Sequence, residues 1–364
     1  MSIIDLASIR ASRPAFLRLQ EREGEEGQRG EYDQRHSGLP KQAPKKVGQV
    51  LSVLPSPFST ASRSQTRMVP DLVHVNGRRL RYAISQNALD RGSKGLWAVN
   101  LHGYLAGGGM YWRESSKLAS MLGWRVINPS LPGFGGSDAM PWGELSMSGL
   151  AKDVAYLLDE LDVEHAVVLG HSMGGAVAAQ FAYEFPDRTL GLIYRDGAAT
   201  PEWRHRTGPI VNLLAPILPD IAALSDLILA ALLDVPDLVA GRLTSTIKSV
   251  LPDARRNVRS LGRTVPVGAM LISTDMREEI LALRDEGELP ILAEWGCADH
   301  IATPATAAEF SAHSGAQIVW IPGGHSWMLA RPSTQAQVLL HDERGKAFMG
   351  KVQERAQRLG EVYH

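Results

Sequence analysis

Ser172 lies between two glycines in Gly170-His171-Ser172-Met173-Gly174, where an apolar run, HAVVLGHS, gives way to a helix-like stretch, MGGAVAAQFAYE. A hydroxyl is a weak nucleophile until a neighbouring base takes its proton. His325, in PGGHSWML, is the candidate base. Asp299, in WGCADHIATP, is the preferred carboxylate to fix the imidazole tautomer and stabilise the imidazolium. Asp196, after LGLIYR, stays open as its rival, and Asp299 also reads as a cap for a helix starting near Thr303. Such a set performs nucleophilic attack on a carbonyl carbon, and the oxyanion that develops needs N–H donors. The backbone N–H groups of Met173 and of Tyr104, in Leu101-His102-Gly103-Tyr104, are the candidate pair for this oxyanion hole. Gly107-Gly108-Gly109 keeps the second of these loops pliable; His171 reads as a structural hydrogen-bonding residue, and so does His102 if HGY is only a glycine turn.

These residues need a frame that brings distant segments to one edge. Apolar runs of strand length recur at 96–103, 124–130, 165–172, 190–197, 290–297 and 317–324, and most are separated by helical patterns such as LAKDVAYLLDEL. Strands buried on both faces and alternating with helices predict an α/β fold with a mostly parallel, doubly wound sheet. DLVHVNGRRLRYAIS adds a hairpin around Asn76-Gly77, giving about eight strands with helices on both faces. In that frame the G-x-S-x-G segment is a sharp strand-to-helix turn at the C-terminal edge of the sheet.

Residues 71–200 and 290–364 form this predicted core. The interval 201–289 far exceeds a crossover and is rich in Leu, Ala and Ile, so it reads as an inserted helical lid. Leu213, Leu214 and Ile217, with Leu224, Ile228 and Leu232, are candidate walls of an apolar pocket, and Trp327 either shapes that pocket or packs in the core. Residues 1–70 carry dense mixed charge with little to bury and read as a largely flexible extension.

Lys plus Arg (38) nearly balances Asp plus Glu (39), which gives no global field for nucleic acid or an acidic membrane surface. The apolar stretch 210–233 is interrupted by Pro216, Pro219, Asp220 and Asp226, against a spanning helix. Cys297 is the single cysteine, and with no apolar signal segment at the N-terminus the expected location is cytoplasmic. Nothing in the sequence fixes an oligomeric state.

Taken in order, HGY at 102–104, LPGFGGSD at 131–138, GHSMGG at 170–175, the Asp299 turn and GGH at 323–325 resemble the α/β-hydrolase superfamily over roughly residues 71–342. The resemblance is to its serine-nucleophile, esterase/lipase-like branch with a helical lid. It implies a Ser172–Asp299–His325 triad, a small, largely apolar acyl substrate, and no metal or organic cofactor. Dehalogenases and epoxide hydrolases of the superfamily carry aspartate where this chain has Ser172, so their alkyl-enzyme route is not expected. Carbon–carbon bond hydrolases of diketones, cofactor-free haloperoxidase-like enzymes and non-catalytic ligand receptors share the frame and remain alternatives.

Overall fold

The computed structural model describes residues 66–90, 92–205, 243–285 and 287–360. The candidate wall residues Leu213, Leu214, Ile217, Leu224, Ile228 and Leu232, and the extension up to residue 65, lie outside the described residues.

Strands β1 (Met68–Val75) and β2 (Arg78–Ser85) pair antiparallel through a tight turn at Asn76 (φ +48°) and Gly77 (φ +73°). Two consecutive positive φ angles are what a two-residue hairpin with native strand twist requires, and Asn-Gly tolerates them. β1 begins at Met68, inside the segment expected to be extension; Pro70 is tolerated there because β1 is an edge strand.

The remaining strands are β3 (Trp97–Leu101), β4 (Arg125–Pro129), β5 (Ala166–His171), β6 (Thr189–Arg195), β7 (Ile291–Gly296) and β8 (Gln317–Ile321). They form one eight-stranded sheet in the order β1-β2-β4-β3-β5-β6-β7-β8, antiparallel at β1–β2 and β2–β4 and parallel from β4 onward. The sheet is doubly wound, as the alternation of runs predicts.

Alternate residues of the central strands point to opposite cores. Val99, Val168, Leu192 and Tyr194 face one apolar cluster together with α2 (Met147–Glu160) and α3 (Met173–Glu184). Ala98, Val167, Leu169 and Ile193 face the other, with α1 (Trp112–Leu122), which precedes α2 in the chain, and with helices from the C-terminal end of the chain. Local signals set the helix ends: Gly123 at φ +74° stops α1, and the Ser146 hydroxyl accepts the Gly149 N–H at 2.9 Å to start α2.

Between β6 and β7 the chain forms α4 (Leu243–Val258), α5 (Leu261–Ser273) and α6 (Arg277–Asp285). After β7 come α7 (Pro304–Ser314), then β8, the short α8 (Trp327–Ala330), α9 (Thr334–His341) and α10 (Glu343–Arg358). Ala336 and Leu339 of α9 and Phe348, Val352 and Ala356 of α10 close the second core. No helix among the described residues is long and apolar enough to cross a membrane.

A polar seam crosses this apolar frame. Arg195, fully buried on β6, makes an ion pair with Glu114 of α1 at 2.6 Å and donates to the Asn100 side chain at 2.6 Å. Asn100 also donates to Ser115, whose hydroxyl donates to Asn128 at 2.7 Å, and Asn128 donates to the Gly108 carbonyl at 3.1 Å. A buried charge is tolerated only with partners of this kind, and the seam ends on the glycine loop after β3.

Candidate active site

Ser172 sits between β5 and α3 with φ +54° and ψ −119°, a conformation that L-residues rarely hold unless the surroundings enforce it. The enforcing contacts are visible. A Cβ on Gly170 would run into the Gly174 carbonyl, and one on Gly174 would run into the carbonyls of Leu101 and His102. The glycines two residues either side of the serine therefore let the elbow close against the end of β3.

His325 and Asp299 arrive from the loops after β8 and β7. His325 Nδ1 and Asp299 Oδ2 are 2.8 Å apart, and both residues are buried, at 5% and 2% exposure. The second Asp299 oxygen accepts the N–H groups of Ile301 (2.7 Å) and Ala302 (3.0 Å). Asp299 thus stabilises its own turn while holding the imidazole, and the cap of α7 is Thr303, one residue before Pro304.

Asp196, the rival carboxylate, is fully buried but faces other donors. It accepts the Gly296 N–H at 2.7 Å and the Trp327 indole N–H at 2.6 Å. One side-chain atom from each of Asp196, Asp299 and His325 lies within 4.8 Å of the others. Burial first, and then the negative Asp299 beside it, push the Asp196 carboxyl well above the usual carboxylate range. That environment disfavours a charge on Asp196.

Trp327 does not line the cavity at Ser172: its indole is fully buried and committed to Asp196. The neighbours Ser326 and Leu329 line it instead. An indole with a buried N–H must find an acceptor, and the one in reach lies behind the base, not in the cavity.

The two other histidines are braces. His102 accepts the Leu131 N–H on Nε2 at 2.9 Å, so its Nδ1–H donates to the Gly103 carbonyl at 2.8 Å. Burial lowers its pKa to about 4 and keeps it neutral. His171 donates from Nε2 to the backbone carbonyl of His325 at 2.8 Å, which leaves Nδ1 to accept the Tyr111 hydroxyl at 2.6 Å. The Tyr111 oxygen in turn accepts the Gly103 N–H at 3.3 Å. Burial, then the neighbouring His325 and Arg195, holds the His171 pKa well below its usual value. One neutral imidazole thus joins the loop of the base to the loop of the expected oxyanion donor. Tyr111 carried no signal beyond its place after Gly107-Gly108-Gly109, and sequence reasoning missed it.

The two oxyanion candidates both lie beside Ser172. Met173 is the first residue of α3, where the N–H has no acceptor within the helix. Tyr104 follows Gly103, whose backbone is so close to the nucleophile that a Cβ would lie 3.2 Å from the Ser172 Cβ.

Ser172 and His325 open on a cavity of about 230 Å³. Its walls include Leu105, Ala106, Met110, Ile301 and Leu329, with Val250 and Ala254 supplied by α4. A strand-to-helix serine elbow, a buried histidine–aspartate pair and an apolar cavity thus meet at the C-terminal edge of a parallel sheet.

Residues 99–332 match the family described as the alpha/beta hydrolase fold. This chain belongs to that family. A protein of Mycobacterium phage D29 named as a non-heme haloperoxidase is 27% identical over 241 residues, covering 66% of this chain and 85% of its own. A 2-hydroxy-6-oxo-6-phenylhexa-2,4-dienoate hydrolase of Burkholderia cepacia is 37% identical over 108 residues, which is 29% of this chain and 37% of that protein. Among solved structures, an esterase from Thermogutta terrifontis aligns over 78% of this chain and 98% of its own, with TM-score 0.56 and 23% identity. The enol-lactonase of Burkholderia xenovorans LB400 aligns over 79% and 100%, with TM-score 0.54 and 24% identity. At these identities the structural likeness speaks for the fold alone.

Proposed function

We propose that this protein is a serine hydrolase that cleaves an ester or related acyl bond of a small, largely apolar substrate through an acyl-enzyme. The observation that carries this reading is the 2.8 Å His325–Asp299 pair, with its imidazole opening on the same cavity as a serine held at φ +54°. His325 takes the Ser172 proton as Oγ attacks the carbonyl carbon, and Asp299 stabilises the imidazolium that results. The Tyr104 and Met173 N–H groups receive the oxyanion. His325 then gives its proton to the leaving group, and water, activated by the same imidazole, releases the acyl product. No metal or organic cofactor takes part in this scheme.

The cavity supports the choice of substrate. Its lining is mostly apolar, and 230 Å³ falls below the roughly 300–1,000 Å³ of sites for drug-sized ligands. In this reading the segment 201–289 acts as a lid, with Val250 and Ala254 of α4 as its contribution to the wall.

A second reading is favoured by the named relatives. Hydrolysis of a carbon–carbon bond beside a ketone would use the same serine, base and donors, and the B. cepacia protein bears the name of a hydrolase of an oxo-dienoate.

Intact-protein mass spectrometry after a fluorophosphonate probe tests the shared premise. Wild type should gain one adduct and Ser172→Ala none. Unlabelled enzyme then goes to a panel of esters, thioesters and a vinylogous diketone, which separates the two readings by which bond is cut. A folded wild type that takes no adduct would refute the activated serine and turn attention to ligand binding.

A further inference from the structure

The loop that carries Tyr104 is held by α4 as well as from the sheet side. Val250, Asp253, Ala254 and Asn257 fall at i, i+3, i+4 and i+7, one face of that helix. Val250 and Ala254 line the cavity, while Asp253 packs on Gly107 and Gly109, where a Cβ would come within 2.7 Å of its Oδ2. Asn257, only 2% exposed, uses its whole amide. Nδ2 donates to the carbonyls of Leu105 (2.7 Å) and Ala106 (2.8 Å), and Oδ1 accepts the Gly135 N–H (2.8 Å).

The grip falls where the backbone needs it. Leu105 has φ +58°, a left-handed conformation that a leucine holds only against a steric penalty. The Tyr104 hydroxyl donates to the Thr264 carbonyl of α5 at 3.1 Å, and beyond the loop the Trp112 indole N–H, at the start of α1, donates to Ser249 of α4 at 2.9 Å.

We propose that Asn257 is a positioning residue for the oxyanion loop, acting through the Leu105 and Ala106 carbonyls on the direction of the Tyr104 N–H. The proposal rests on the serine-hydrolase reading above. It makes α4 part of the machinery that orients the loop as well as a wall of the cavity. Its chemical effect falls on the transition state, because a misplaced donor binds the oxyanion poorly while leaving the substrate's ground-state contacts in place.

Full-length Asn257→Leu and Asn257→Asp are the test. Leucine removes all three bonds; aspartate keeps an acceptor for Gly135 and turns an anion toward two carbonyls. In folded protein, kcat and the rate of fluorophosphonate labelling should both fall about 10²-fold, the scale of an ångström-sized misplacement. KM should stay within about threefold, the mark of an interaction made in the transition state. Amide hydrogen exchange across residues 103–110 should quicken in the variants, an arm that does not depend on Ser172 chemistry.

Unchanged kcat, a rise in KM alone, or unchanged exchange would overturn the proposal. Failure of both variants to fold would do the same, by assigning Asn257 to stability. Faster exchange in the variants, together with a wild type that takes no probe, would sink the hydrolase reading instead and leave the clamp standing as a structural device only.

Discussion

The buried pair Asp196 and Asp299 makes a quantitative claim about the base. Replacing Asp299 with Asn keeps an oxygen for the Ile301 and Ala302 N–H groups but removes the charge 2.8 Å from His325 Nδ1. In a triad with a single carboxylate this change lowers kcat by about 10⁴. Here Asp196 also has a side-chain atom within 4.8 Å of the imidazole. Burial and then the Asp299 charge raise the Asp196 pKa, so losing that charge lets Asp196 ionise at lower pH.

With an effective dielectric near 20, a unit charge at 2.8 Å favours the imidazolium by about 6 kcal/mol and one at 4.8 Å by about 3.5 kcal/mol. The difference, about 2.5 kcal/mol, corresponds to roughly 10²-fold in rate. Where Asp196 is ionised, Asp299→Asn should therefore lose only about 10² in kcat for an activated ester, and at lower pH the loss should deepen toward about 10⁴. Asp196→Asn alone should leave kcat near wild type while lowering stability by about 1–3 kcal/mol, since the Gly296 and Trp327 donors then share a single acceptor. The double variant should fall the full 10⁴ or so. Stopped-flow acylation read against Ser172→Ala measures all three. Equal inactivity of Asp299→Asn and the double variant would refute the argument, because Asp196 would then contribute nothing to the base.

Two further outcomes follow from buried charge. Burial raises the Glu294 carboxyl from 4.5 to about 8, so it keeps its proton in the folded chain over a range where the unfolded chain has lost it. Its stabilising contribution is complete below about 4.5 and is lost as pH rises toward 8. Glu294→Gln should match wild type in stability near pH 4.5 and exceed it at pH 8 by a few kcal/mol, because each tenfold change in proton affinity is worth about 1.4 kcal/mol. Melting curves that give the same difference between variant and wild type at both pH values would contradict this. Arg195→Met leaves Glu114 charged and buried without its 2.6 Å partner, and should destabilise by about 3–5 kcal/mol in urea unfolding at constant m. A loss under about 1 kcal/mol would mean the seam is not charged as drawn.

How much of this was legible in the chain depended on how local each cause is. The parallel sheet shows in its apolar runs because a strand buried on both faces must be apolar throughout, as β5 and β6 largely are. Ser172 shows because its strained turn needs glycines two residues either side, which lie within one short window even though Gly174 answers to the end of β3. Asp299 and Asp196 could not be separated so cleanly, since each follows a strand and the two strands are neighbours. What divides them is which donors each meets: the loop after β8 brings the His325 ring to Asp299 and the Trp327 indole to Asp196. That same division puts Trp327 in the core, one of the two roles open to a residue two positions after the base.

Asn257 marks the limit. In the chain it stands in DARRNVR, inside the interval 201–289 that reads as a helical lid, with nothing to single it out. Its three bonds reach across 122, 151 and 152 residues to two loops that meet only once the sheet has formed. A window of any helical length contains the donor without its acceptors. The polarity of Asn257 becomes intelligible only from the other side, where the buried Ala106 carbonyl and Gly135 N–H and the partly buried Leu105 carbonyl would lose this partner without it. Such a residue is found by asking what each buried backbone group bonds to, not by reading its own neighbourhood. The same question, put to the glycine loop after β3, leads to Asn128 from the sheet side and to α4 from the other. A loop gripped from two independent elements keeps its shape only while both are docked, which is why a substitution on α4 is expected to register at Ser172.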